Sequence, residues 1–125
     1  MILTPKKSTC EMFFAKLFEI SETAKAIHLQ QKSKNGFVHS AMGDLYSQAS
    51  DLADKIYETY CGLYGTCVIS FSSKPSDTEP LGYVKACYNY IDSNRSIFKE
   101  SFIQNNIDEF QSLLAHTMYK LQYVQ

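Results

Sequence analysis

A chain of 125 residues, 45% of them apolar, is one domain's worth of sequence and too apolar to stay unfolded. Twelve basic side chains against thirteen acidic ones leave a net charge of −1, without the basic excess that non-specific nucleic-acid binding requires, so no nucleic-acid partner is expected. No run of eighteen apolar residues is present to span a membrane. No basic segment followed by an apolar core opens the chain, and a cytoplasmic protein is expected.

The opening segment, residues 1–8, carries only Lys6 and Lys7 as charges and reads as a flexible arm ahead of a single bundle domain over 9–125. Ser8 and Glu11 have the spacing of a capping box, in which hydroxyl and carboxylate each satisfy a free N–H at a helix start. Phe13, Leu17, Ile20, Ala24 and Ile27 follow in steps of four and three, one face of a helix over about 9–33. Lys32 to Gly36 breaks it. Val38, Ala41, Leu45, Ala49, Leu52, Ile56 and Tyr60 then mark a second helix over about 37–63, ended by Gly62 and Gly65.

Residues 66–77 have no helical pattern; Cys67 to Phe71 could be extended, and Ser72 to Asp77 is a loop. Thr78-Glu79-Pro80 opens a third helix to about 97 that carries Tyr83, Ala86, Tyr90, Ile91 and Ile97. After a break near 99–101, Ile107, Phe110, Leu114, Met118 and Leu121 mark a fourth helix to about 122. Two long helices, a long connection and two further helices predict an all-α, ferritin-like four-helix bundle whose long second connection crosses the bundle. The cysteines at 10, 61, 67 and 87 form no C-x-x-C pair and are expected to be reduced, mostly buried thiols. Nine tyrosines exceed what one core needs, and the excess suits contacts between subunits.

No P-loop, G-x-G-x-x-G, H-E-x-x-H or G-x-S-x-G is present, and no Glu-x-x-His supports an ordinary di-iron centre inside the bundle. No catalytic residue is therefore assigned. The metal-competent side chains are His28 and His39, flanking the first turn, with Asp54 and Glu58 one helical turn apart on the second helix. His39 lies fifteen residues before Asp54, about 22 Å along a helix. One ion cannot reach both. If the four form a site, two chains must pair across a two-fold axis, histidines of one meeting carboxylates of the other, in two equal sites. The alternative is that they are polar contacts at a helix–helix interface. Lys32, Lys34 and Asp44 are possible further ligand contacts; the lysines beside His28 could hold a phosphate or be a solvated turn.

His39, then Asp54 and Glu58, followed by Gly62 and Gly65, resemble the Dps-type mini-ferritins. Those proteins bind iron between subunits, oxidise it with peroxide and assemble into hollow dodecamers. The resemblance implies a homo-oligomer, at least a two-fold dimer, with iron or zinc as cofactor. Three positions depart from the family: the histidines lie one residue closer, the acid four residues after the second histidine is Gly43, and the Trp after the first is Leu29. With that carboxylate missing, weak or absent ferroxidase activity is expected. A wider resemblance, over about 12–122, is to small tailed-bacteriophage proteins with a mini-ferritin-like domain. It rests on His28-Leu29-Gln30-Gln31-Lys32-Ser33, on His39-Ser40-Ala41 with Leu45-Tyr46, on Glu58-Thr59-Tyr60, and on Ile103 to Glu109 with Met118 to Leu121. It implies a protein of the infected host's cytoplasm. It also leaves open a non-catalytic anti-defence role, in which the bundle sequesters a small signalling nucleotide or a host protein.

Overall fold

The computed structural model describes residues 6–31 and 35–124, so Met1 to Pro5 of the expected arm, and Lys32 and Lys34, lie outside the described residues. Among the described residues there are four helices, α1 (Lys7–Gln31), α2 (Gly36–Tyr64), α3 (Pro80–Asn94) and α4 (Ser101–Tyr123), with a single 3₁₀ turn, Arg95–Ile97, after α3. No described helix is long and apolar enough to cross a membrane.

Each boundary has a local cause. α1 begins at Lys7, so Ser8 already lies inside the helix and the expected capping box does not form. Glu11 Oε2 instead accepts from the backbone N–H of Val68, 2.8 Å away. Asn35 caps α2, its side-chain oxygen accepting from Phe37 N at 3.0 Å and Val38 N at 3.3 Å. α2 runs through Gly62 and ends at Gly65, whose φ of 88° is open to glycine, and whose N–H donates to Cys61 O at 2.8 Å. Glu79 caps α3 through its carboxylate, with Pro80 in the first turn.

Pairwise contacts fix the directions. His28 stacks on His39, Ser21 donates to Tyr46 O at 3.3 Å, and Phe14 packs on Tyr60 with centroids 5.0 Å apart, so α1 and α2 are antiparallel. Tyr83 donates to Glu19 at 2.7 Å and Tyr90 lies beside Phe13, so α3 also runs against α1. Lys120 pairs with Asp44 at 3.1 Å and Tyr64 donates to Glu100, so α4 runs against α2. Helices α2 and α3 are therefore parallel. The chain between them, residues 65–79, climbs α1: Val68 on Glu11, Phe71 stacked on Phe18 at 5.6 Å, then the Lys74 N–H on Thr23 Oγ1 at 2.9 Å. From residue 11 to 23 that is about 18 Å of helix. The result is an all-α four-helix bundle whose second connection is one long crossover. The crossover is held by side chains and shows no strand.

Phe13, Leu17, Ile20, Ala24 and Ile27 are fully buried, as are Leu45, Ala49, Ile56, Phe110 and Leu114. One expected core position fails: Ala86 is exposed, and α3 turns Val84 and Cys87 inward beside Tyr83 and Ile91. Phe13, Phe14, Tyr60 and Phe98 fill one end of the bundle with edge-to-face rings. The opposite end, where α1 hands over to α2, holds the histidines.

Candidate metal centre

His28 sits in the last turn of α1 and His39 in the first turn of α2. Their rings stack with centroids 3.9 Å apart and planes 13° from parallel. Each ring is also tied to the other's backbone. Nδ1–H of His28 donates to His39 O, and Nδ1–H of His39 donates to His28 O, both at 2.6 Å. A carbonyl only accepts, so both Nδ1 atoms carry hydrogen, and in the neutral ring this leaves the Nε2 lone pair free. The carbonyl of His28 is available because the last four carbonyls of a helix have no partner within it. Tyr46 flanks the pair, 5.8 Å from the His28 ring, with Lys25 Nζ 5.9 Å from the Tyr46 centroid.

Neither Nε2 has a hydrogen-bond partner among the described residues, and no buried side-chain nitrogen or oxygen there lacks one. A histidine that ligates a metal usually donates its other N–H to a carbonyl or carboxylate, which fixes tautomer and orientation. The reciprocal pair has that arrangement, each ring held through Nδ1 by a backbone carbonyl.

Asp54 and Glu58 are exposed on α2, and neither makes an ion pair or side-chain hydrogen bond among the described residues. The helix holds them about 22 Å and 28 Å beyond His39. The fold thus brings the two histidines together and keeps the carboxylates apart from them in the same chain. Among the described residues of one chain, no three His, Cys, Asp or Glu side chains are placed to share an ion. Asp44 pairs with Lys120 on the α4 side, away from the imidazoles.

In the sequence Gly43 stands only as a missing acid. In the structure it is the surface on which His28 lies: a Cβ there would stand 2.7 Å from Nδ1 and Cε1 of the ring. The signal was available, because glycine inside a helix costs about 1 kcal/mol relative to alanine and so points to a packing reason.

A family model described as a family of unknown function (DUF5856) matches residues 28–121, three-quarters of the chain, beginning at His28 and ending in α4. No curated protein and no solved structure matches the chain.

Proposed function

The chain belongs to this family of unknown function, DUF5856, and we propose that it is a metal-binding oligomer whose site forms across a two-fold dimer interface. His28 and His39 of one chain supply two imidazoles, and Asp54 and Glu58 of a second copy supply two carboxylates. The observation that carries the reading is the reciprocal histidine–carbonyl lock, which fixes both rings through Nδ1 and leaves each Nε2 without a hydrogen-bond partner among the described residues. The carboxylates suit the part, being exposed and free of described partners in their own chain. Two imidazoles and two carboxylates around one divalent ion sum to about zero charge, which avoids the cost of a half-buried net charge. The donor set of nitrogen and oxygen suits zinc or ferrous iron. The resemblance to Dps-type mini-ferritins points to the same pairing of chains.

The test is metal stoichiometry in a mixed dimer. One chain carries His39→Ala and its partner Glu58→Ala, so one of the two shared sites loses both groups and the other stays intact. Calorimetric titration with zinc should give one tight ion per mixed dimer, two per wild-type dimer, and weak binding in either single-variant homodimer. Two intact sites in the mixed dimer, or a 14.3 kDa monomer by light scattering at micromolar concentration, would overturn the proposal.

A further inference from the structure

At the other end of α2 two thiols come together. After the last turn, Gly65 turns the chain with its φ of 88° while its N–H donates to Cys61 O at 2.8 Å, and Cys67 comes back to α2 at Tyr57. Both flanks of Cys67 are anchored: its carbonyl accepts from the Tyr57 hydroxyl at 2.9 Å, and the next N–H, of Val68, donates to Glu11 at 2.8 Å. Tyr57, whose hydroxyl holds Cys67, lies one helical turn before Cys61 on the same face of α2, and the two thiols are near enough for Cys61 to raise the Cys67 thiol. Cys61 and Cys67 are both half-buried, whereas Cys10 and Cys87 are enclosed in the core. All four cysteines are free thiols.

From this cluster we propose that Cys61 and Cys67 form an oxidisable dithiol site, which a hydroperoxide converts to an intrachain disulfide. A hydroperoxide ROOH transfers one oxygen to the first thiol, giving a sulfenic acid and ROH as its O–O bond breaks. The second thiol attacks the sulfenic sulfur, the S–S bond forms and water leaves. In sum the two thiols lose two protons and two electrons, and the peroxide takes them up as ROH and water. The thiolate is the reacting form. Burial first, and the neighbouring Cys61 next, push the Cys67 thiol above its ordinary value. The reaction is therefore slow at neutral pH and accelerates about tenfold per pH unit while the thiolate is the minor species. The disulfide would fasten the start of the crossover to the end of α2. Within one chain the thiols lie at the opposite end of α2 from the histidine pair, and their oxidation needs none of the proposed metal ligands.

The test uses the full chain, metal-free, treated with hydrogen peroxide between pH 7 and 9 and followed by intact mass. The expected product is about 2 Da lighter, stays monomeric in chain length on a non-reducing gel and returns to the starting mass with dithiothreitol. Peptide mapping should join Cys61 to Cys67 and leave Cys10 and Cys87 open to alkylation once the chain is unfolded. Cys67→Ser should abolish the 2 Da loss and leave Cys61 trappable as a sulfenic acid. Cys61→Ala gives the complementary control should Cys67→Ser fail to fold. Linkage of Cys67 to Cys10, a disulfide between chains, independent oxygen addition at each thiol, or no reaction at pH 9 would each overturn the proposal.

Discussion

The imidazole of His28 lies where a side chain on residue 43 would have to be, 2.7 Å from the position of its Cβ. The contact falls on Nδ1, the nitrogen that donates to the His39 carbonyl. Gly43 therefore permits both the ring stack and one half of the reciprocal lock. Alanine at 43 gains about 1 kcal/mol of helix propensity but must push the ring off its acceptor, at about 2–3 kcal/mol. Gly43→Ala should lose about 1–2 kcal/mol in urea unfolding. In a His28→Ala background the ring is gone, and the same change should stabilise by about 0.5–1 kcal/mol. If Gly43→Ala stabilises the wild-type chain, the ring is not held as described.

Arg95, the chain's only arginine, closes the turn from α3 to α4. Nε donates to Gln104 Oε1 at 2.8 Å, Nη2 to Gln104 O at 3.0 Å and to Asp108 Oδ1 at 2.6 Å, and Nη1 to Gln111 Oε1. Gln104 answers by donating to the carbonyls of Arg95 and Phe98, each at 2.7 Å. A planar fork is needed to reach these acceptors together, and lysine cannot copy it. Arg95→Ala should cost about 2–4 kcal/mol and Arg95→Lys about 1–2 kcal/mol. Asp108→Asn should cost under about 1 kcal/mol, because that carboxylate is largely exposed. A negligible loss for Arg95→Lys beside a larger one for Asp108→Asn would mean that charge, not the fork, holds the turn.

Stability should fall on the alkaline side. Burial pushes the Cys87 thiol from 9.0 to about 11, and its hydrogen bond to Glu100 pushes Tyr64 from 10.0 to about 12. Burial also raises Tyr60 and Tyr83. Each group keeps its proton in the folded chain at a pH where the unfolded chain has lost it. The contribution is complete below about pH 9 and is lost as pH rises towards 11 and 12. For buried Cys87 the loss is on the order of 3 kcal/mol, and for half-buried Tyr64 it is smaller because of solvent screening. Urea midpoints measured from pH 8 to 11 should drop, and Cys87→Ala should flatten the part that begins near pH 9. A flat profile in the wild type would remove burial of these groups as a source of alkaline lability.

The helices were legible because each buries a stripe at helical spacing: the expected faces of α1, α2 and α4 are the ones that pack. The third was read partly from the wrong residues, since tyrosines that suit a core also suit a half-wet surface, and Ala86 is small enough for either. Ser8 failed as a cap because α1 already begins at Lys7, and Glu11 holds the crossover through the Val68 N–H instead. That crossover has no periodicity to read; side chains at 11, 18 and 23, far away in sequence, determine its path. The proximity of His28 and His39 was legible from the turn between them. The lock was not, because it uses backbone carbonyls, which every residue carries. The meeting of Cys61 and Cys67 depends on the reversal at Gly65, and their spacing alone does not announce it.

Ferroxidase chemistry tests the proposed metal centre most sharply, and wild type should oxidise ferrous iron with peroxide little faster than buffer. A pair of divalent ions brings four positive charges, and Asp54 and Glu58 offer two negative ones. About two charges would remain uncompensated in a half-buried site, at a cost that disfavours the second ion. The two positions that might supply a third carboxylate are both closed. Residue 43 is covered by the His28 ring, and Asp44 is turned about 100° around the helix and paired with Lys120 at 3.1 Å. Gly43→Asp therefore adds a carboxylate only by displacing an imidazole, and it should not raise the rate. Absorbance of ferric product after peroxide addition, for wild type and Gly43→Asp, measures both claims. Rapid oxidation by wild type would mean that another acid completes a two-ion site. A gain in Gly43→Asp alone would mean that the His28 ring yields and is not needed as a ligand.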